Sequence, residues 1–179
     1  MGRLPAVNRD ALAPEDQAVW DRIAGVRGGV QGPFGVLIRV PALADCMAAV
    51  SDYFRFQGVL PAADRELVIL ATGREMGARY EWGRHEPRAR EVGTRAEAIE
   101  AVRLGGALAE LTPRERLLVE LVRALLRTRA LSDELFARAL AELGRPQLVE
   151  VVALSGYYSA LGYILNGFEV PPPEDSPGF

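Results

Sequence analysis

The sequence predicts an all-α protein of seven or eight helices, and three observations carry that expectation. Helix start and stop signals recur in order along the chain, and its apolar residues repeat at spacings of three and four. No segment alternates with period two over a useful length, so strands are not expected. With 179 residues, 49% of them apolar and 25% charged, the chain is long enough for a sizeable core. Residues 1–179 are therefore expected to form a single domain.

Each element has its own signal. Pro14 opens a helix with Val19, Trp20 and Ile23 on one side, stopping near Gly25. A glycine-dense stretch from Gly25 to Gly35 follows; no strand precedes it and its glycines do not fit a dinucleotide-binding turn. It reads either as a mobile loop over a pocket or as a long surface connection. A helix from Pro41 to Gln57 carries Leu43, Met47, Val50 and Phe54 at helical spacing and ends at Gly58. The next starts at Ala62 or Asp64 and runs to Met76, with Leu67, Val68, Leu70 and Ala71 as a broad buried face. Gly77 then separates it from Tyr80–His85, and Pro87 is expected to kink or cut that helix just beyond His85.

Further along, Thr94 and Glu97 fit a capping box opening a helix that ends at Gly105-Gly106. Thr112-Pro113-Arg114-Glu115 fits another, followed by the stripe Leu117, Leu118, Leu121, Val122, Leu125 and Leu126. Ser132 caps a helix that Gly144 stops, and Pro146 opens the last, which reaches Leu165.

Composition narrows the function. The net charge of −3 with no strongly basic stretch argues against nucleic acid as a partner. No uninterrupted apolar run approaches the roughly 18 to 20 residues of a membrane span, and the N-terminus lacks an apolar signal region. No membrane association and a cytoplasmic address are expected. All 21 basic residues are arginine, so Schiff-base, pyridoxal-phosphate and Walker-type phosphate-loop chemistry are excluded for want of a lysine. Cys46 is the one cysteine, which rules out an intrachain disulfide or CxxC pair; its apolar helical context reads as a small buried hydrophobe. No metal site and no cofactor are expected, although Glu66, Glu81 and His85 are ligand types for a divalent ion.

The one histidine, His85, lies in Tyr80-Glu81-Trp82-Gly83-Arg84-His85. Glu81 and His85 are four apart, so on a helix they point the same way and can share a proton. Glu66 lies nineteen residues upstream, in the preceding apolar helix. The bland reading is available for each residue. His85 and Glu81 form an exposed pair, Tyr80 and Trp82 are core aromatics, and Glu66 offsets a helix dipole. The functional reading is acid–base chemistry: His85 moves the proton and Glu81 sets its tautomer. A partly buried Glu66 has a raised pKa and acts as an acid, and Tyr80 donates to a developing oxyanion. Trp82 and Arg84 are candidates for substrate contact, and Arg79 and Arg88 are further cations for an anionic group.

Glu66-Leu67-Val68-Ile69-Leu70 followed by Tyr80-Glu81-Trp82 and His85 resembles the carboxymuconolactone decarboxylase and alkylhydroperoxidase D-like superfamily. Glu150 to Tyr158 and Leu165-Asn166 resemble the C-terminal signature of its YEWxxH-bearing members. The likeness covers about residues 30–170. It implies an AhpD-like helical fold, proton-relay roles for Glu66, Tyr80 and His85, and association as trimers or hexamers. In the peroxidase branch a CxxC precedes the histidine by four and seven residues; here those positions are Glu81 and Ala78. Thiol-dependent peroxide reduction lacks both its attacking and its resolving sulfur. Glu81 instead resembles the decarboxylase branch, in which a carboxylate precedes the histidine by four.

Three functions stay open at this point. One is a cofactor-independent lyase or isomerase acting on a small carboxylated or lactone-like substrate. Another is a peroxidase relative with lost or altered thiol chemistry. The third is a non-catalytic ligand-binding or structural oligomer.

Overall fold

A computed structural model describes residues 2–179, which form eight α-helices and one short 3-10 turn, with no strand among the described residues. Two compact units divide the chain: residues 2–58 with 164–171, and residues 59–163 with 172–179.

The smaller unit holds α1 (Pro14–Arg27), α2 (Pro33–Leu37) and α3 (Pro41–Phe56). Helix α1 runs past Gly25 and ends at Gly28, whose φ of 72° supplies the left-handed cap that a side chain resists. Half of the glycine-dense stretch is thus helical: Pro33, Phe34 and Leu37 of α2 are buried, and the Arg27 guanidinium stacks on Phe34 at 4.5 Å.

Helix α3 differs from its expected orientation. Its buried face is Ala44, Ala48 and Phe54, while Leu43 and Val50 are 48% and 42% exposed. Alanines let the α3 backbone approach its neighbours closely, and that rotates the larger residues outward. Cys46 goes with them and is exposed, contrary to its expected burial. The carboxylate of Asp52 on the flank of α3 holds Arg27 at 2.6 Å.

The larger unit is built around α4 (Ala62–Glu75), which packs against α5 (Arg79–Glu91), α6 (Ala96–Leu104) and α7 (Pro113–Thr128). Leu67, Val68, Ile69, Leu70 and Ala71 are all at most 2% exposed, so α4 is covered on every side. Its role as central helix explains its unbroken apolar run. Leu117, Leu118, Leu121 and Val122 of α7 supply the facing core, and the Thr112–Glu115 capping box closes as expected.

The Thr94 box does not form. The Thr94 hydroxyl donates to the Ala63 carbonyl at 3.1 Å, leaving Arg95 as an unassisted N-cap. Pro87 likewise fails to cut α5, which continues to Glu91. The proline removes one backbone bond, but Trp82, Glu86 and Ala89 are buried on the same helix and their packing outweighs that loss.

Helix α8 (Asp133–Gly167) contains the expected break: Gly144 has φ 67° and ψ 171°, and Pro146 restarts the helix. Ser132 caps its first turn, accepting from the Leu135 N–H at 3.2 Å. The helix is long enough to cross a membrane and holds an 18-residue window of mean hydropathy 1.5, longer than the apolar runs read from sequence. Half of that window is buried within the protein, the pattern of a core helix. Glu150 on α8 is 4% exposed and accepts the N–H groups of Val59 at 2.9 Å and Leu60 at 2.7 Å.

The C-terminal residues return to α5. Phe179 meets Trp82 edge to face at 5.3 Å between centroids, and Arg74 stacks over the same ring at 4.8 Å. Gly83 makes this approach possible, since a Cβ there would collide with Ser176 and crowd Pro173. Gly83→Ala is expected to cost about 1–3 kcal/mol by overpacking and to leave residues 172–179 open to proteolysis. Limited proteolysis of the two proteins checks this; equal cleavage rates would contradict it.

Candidate active site

Three helices deliver the site. Glu66 projects from α4, Glu81, His85 and Arg88 from α5, and Tyr158 from α8, all within the larger unit. Glu66 lies beyond the first turn of α4, where Asp64 is the only acidic residue, so it does not serve the helix dipole. Its side chain is 2% exposed, and a carboxylate so far from water needs partners. It has three: His85 Nδ1 at 2.7 Å on Oε2, and Arg88 Nε at 3.2 Å and Arg65 Nε at 3.5 Å on Oε1.

The other face of the imidazole is also occupied. His85 Nε2 lies 3.3 Å from Glu81 Oε2 and 3.4 Å from the Tyr158 hydroxyl. The helical spacing of four places Glu81 and His85 side by side, as the sequence predicts. Tyr158 stands edge to face with the imidazole at 5.2 Å, and Tyr157 packs on Tyr158 at 5.4 Å. The ring is therefore held in plane and azimuth by contacts on both nitrogens and one edge.

Electrostatics follow from this geometry. Burial opposes a charge on His85, but the hydrogen bonds to Glu66 and Glu81 and their negative charges outweigh it, pushing its pKa up to about 9. At neutral pH the ring is an imidazolium, with Nδ1–H donating to Glu66 and Nε2–H facing Glu81 and Tyr158. Burial pushes the Glu66 carboxyl up, yet the His85 hydrogen bond and the charges of His85, Arg88 and Arg65 bring it below the usual carboxylate range. This reverses the sequence expectation of a raised Glu66. Glu66 therefore meets His85 as a carboxylate anion. Burial, with the Glu81 and Glu66 charges behind it, holds the Tyr158 hydroxyl well above its ordinary value, so it remains protonated.

The remaining expected site residues fall differently. Tyr80 is half-buried at the start of α5, and burial raises its pKa; the phenol within reach of His85 is Tyr158. Trp82 is fully buried under Phe179, and its indole N–H has no partner among the described residues. Arg84 is exposed, whereas Arg88 meets Glu66. Tyr158 had a readable signal, since it shares the helical stripe of Leu154, Leu161 and Leu165, a polar tip on an otherwise buried face. Among the described residues no group of three or more histidine, cysteine, aspartate or glutamate side chains is arranged to hold a metal ion.

The all-helical fold thus clamps its one histidine between two buried carboxylates, Glu66 and Glu81. The carboxymuconolactone decarboxylase family matches residues 41–124 of the chain. Its fold is similar to that of an uncharacterized peroxidase-related protein with an alkylhydroperoxidase AhpD core from Ralstonia eutropha JMP134. The TM-score is 0.80 at 18% identity, over 97% of this chain and 93% of that one. A peroxidase-related protein from Silicibacter sp. TM1040 gives a TM-score of 0.77 at 13% identity, over 98% and 93% of the two chains. The debrominase Bmp8 in its apo form gives 0.74 at 14% identity, over 94% and 91%. No curated protein matches in sequence.

Proposed function

We propose that this protein is a cofactor-independent acid–base enzyme, a decarboxylating lyase or an isomerase, acting on a small carboxylated or lactone-like substrate. The observation that carries the reading is the pair of contacts on one imidazole: Glu66 at 2.7 Å on Nδ1, with Glu81 and Tyr158 on Nε2. An imidazolium held this way is a general acid with one proton directed away from its orienting carboxylate. In a decarboxylation the C–C bond breaks, carbon dioxide leaves, and the electron pair passes into the substrate's own carbonyl as an enolate. His85 Nε2–H then delivers its proton to carbon, and solvent reprotonates the ring. Tyr158, kept neutral, donates to the enolate oxygen. Glu81, standing where the peroxidase branch has a cysteine, offers the second proton-transfer group. Run without loss of carbon dioxide, the same transfers move a double bond.

The test is a screen of carboxylated lactones and β-keto acids with wild type and His85→Gln. Turnover by wild type that falls about 10²–10⁴-fold in the variant supports the reading. Substrate bound but recovered unchanged would instead favour a ligand-binding protein. Peroxide consumption with thiol reductants is expected to stay at background, because Ala78 and Glu81 replace the thiol pair and Cys46 lies on α3. Since one protein of this fold is a debrominase, bromide release from brominated forms of these substrates belongs in the same screen. A cytoplasmic homo-oligomer, trimer or hexamer, is part of this proposal. The exposed Leu43, Val50 and Phe56 of α3 support it, and solution mass measurement tests it.

A further inference from the structure

A cavity of about 330 Å³ opens in the larger unit between the end of α4, the end of α7 and the middle of α8. None of its lining residues is Glu66, Glu81, His85 or Tyr158. Its walls are mixed: Leu125 and Leu126 from α7, Met76 after α4 and Val152 from α8 are apolar, and Arg129, Ser155, Ser159 and Tyr163 are polar. The serines lie one turn apart on α8 and Arg129 follows α7, so the cavity offers hydroxyl and guanidinium groups on different elements, which can orient a small molecule.

Ser155 is 1% exposed, and its hydroxyl donates to the Val151 carbonyl at 2.8 Å. Ser159 donates in the same way to the Ser155 carbonyl at 2.7 Å. Both protons are committed to the helix, so the oxygens present lone pairs to the cavity and can only accept. A ligand group meeting them must be a donor. Arg129 supplies the opposite chemistry. It is exposed, lines the same cavity, and makes no ion pair among the described residues. It is also held in the left-handed region at φ 61°, at a C-cap position where glycine is favoured.

From this arrangement we infer a second, ligand-binding site, for an amphiphilic carboxylate: an apolar, aryl-sized body with an anionic end and a hydrogen-bond donor at the other. The carboxylate pairs with Arg129, the body lies between Leu125, Leu126 and Val152, and the donor reaches Ser155 or Ser159. The site is independent of the acid–base chemistry at His85, although α8 contributes side chains to both.

Calorimetric titration with p-hydroxyphenylpropionate tests it. Wild type is expected to bind the probe saturably. Arg129→Gln should weaken binding about tenfold, the scale of one charge-assisted hydrogen bond, and should leave the affinity for the neutral p-hydroxyphenylpropanol unchanged. Gly156→Leu should abolish binding by filling the cavity. No atom lies within 4 Å of a Cβ at Gly156, and leucine favours the helix, so this variant folds. His85→Gln should bind as wild type does. The inference is overturned if wild type shows no saturable binding, if Arg129→Gln and Gly156→Leu bind like wild type, or if binding is lost in His85→Gln.

Discussion

In Glu66→Gln the His85 pKa is expected to fall from about 9 toward its ordinary 6.5, because the nearest anion is gone while burial still penalises the imidazolium. Proton NMR reads this without ambiguity, since the chain holds one histidine. At pH 7.5 wild type should show a protonated ring and the variant a largely neutral one. The general-acid step should slow accordingly at that pH, by about tenfold, the fall in the protonated fraction. A wild-type ring that titrates near 6.5 would remove the basis of the proposed mechanism.

The same coupling makes stability depend on pH. A raised folded-state pKa at His85 contributes stability that is full below about 6.5 and is lost as pH rises through about 9. A shift of that size corresponds to about 3 kcal/mol at most. Glu66 acts in the opposite window. Its lowered pKa contributes stability above its unfolded value and loses it as pH falls through the folded one. Urea midpoints should therefore decline on both sides of mildly acidic pH, and Glu66→Gln should flatten the alkaline decline.

Glu150→Ala is expected to cost about 3 kcal/mol or more. Its two oxygens satisfy the N–H groups of Val59 and Leu60 just before α4, and Leu60 is itself 5% exposed. Alanine leaves both donors without a partner in a place water reaches poorly. Glu150→Gln keeps one acceptor and sets an amide against the other donor, so an intermediate loss is expected. Chemical denaturation checks both variants; a loss below about 1 kcal/mol in Glu150→Ala would show that water replaces the carboxylate.

Where local chemistry decided an element, the sequence was a sufficient guide. Thr112, Pro113 and Glu115 close their capping box, and Ser132 caps α8. Gly144 breaks that helix, because the side-chain oxygens and φ preferences involved act within four residues. The Glu81–His85 pairing was legible for the same reason. Where the answer depended on what packs from elsewhere, it was not. Pro87 stays inside α5 because buried neighbours hold that helix, and Thr94 turns to a carbonyl on α4. Ala44, Ala48 and Phe54 of α3 face inward, and not Leu43 or Val50, which leaves Cys46 exposed.

The sequence by itself determined an all-helical protein, the absence of lysine and paired-thiol chemistry, and a Glu–His pair on one helix face. What surrounds that pair comes from the packing of distant helices. That packing brings Glu66 to one imidazole nitrogen and Tyr158, 73 residues away, to the other. It surrounds Glu66 with Arg65 and Arg88, so that the buried carboxylate is an anion where burial alone would have kept it an acid. Helical periodicity specifies which residues share a face. A pKa is set by every charge and every water within a few ångströms, and those arrive from helices distant in sequence.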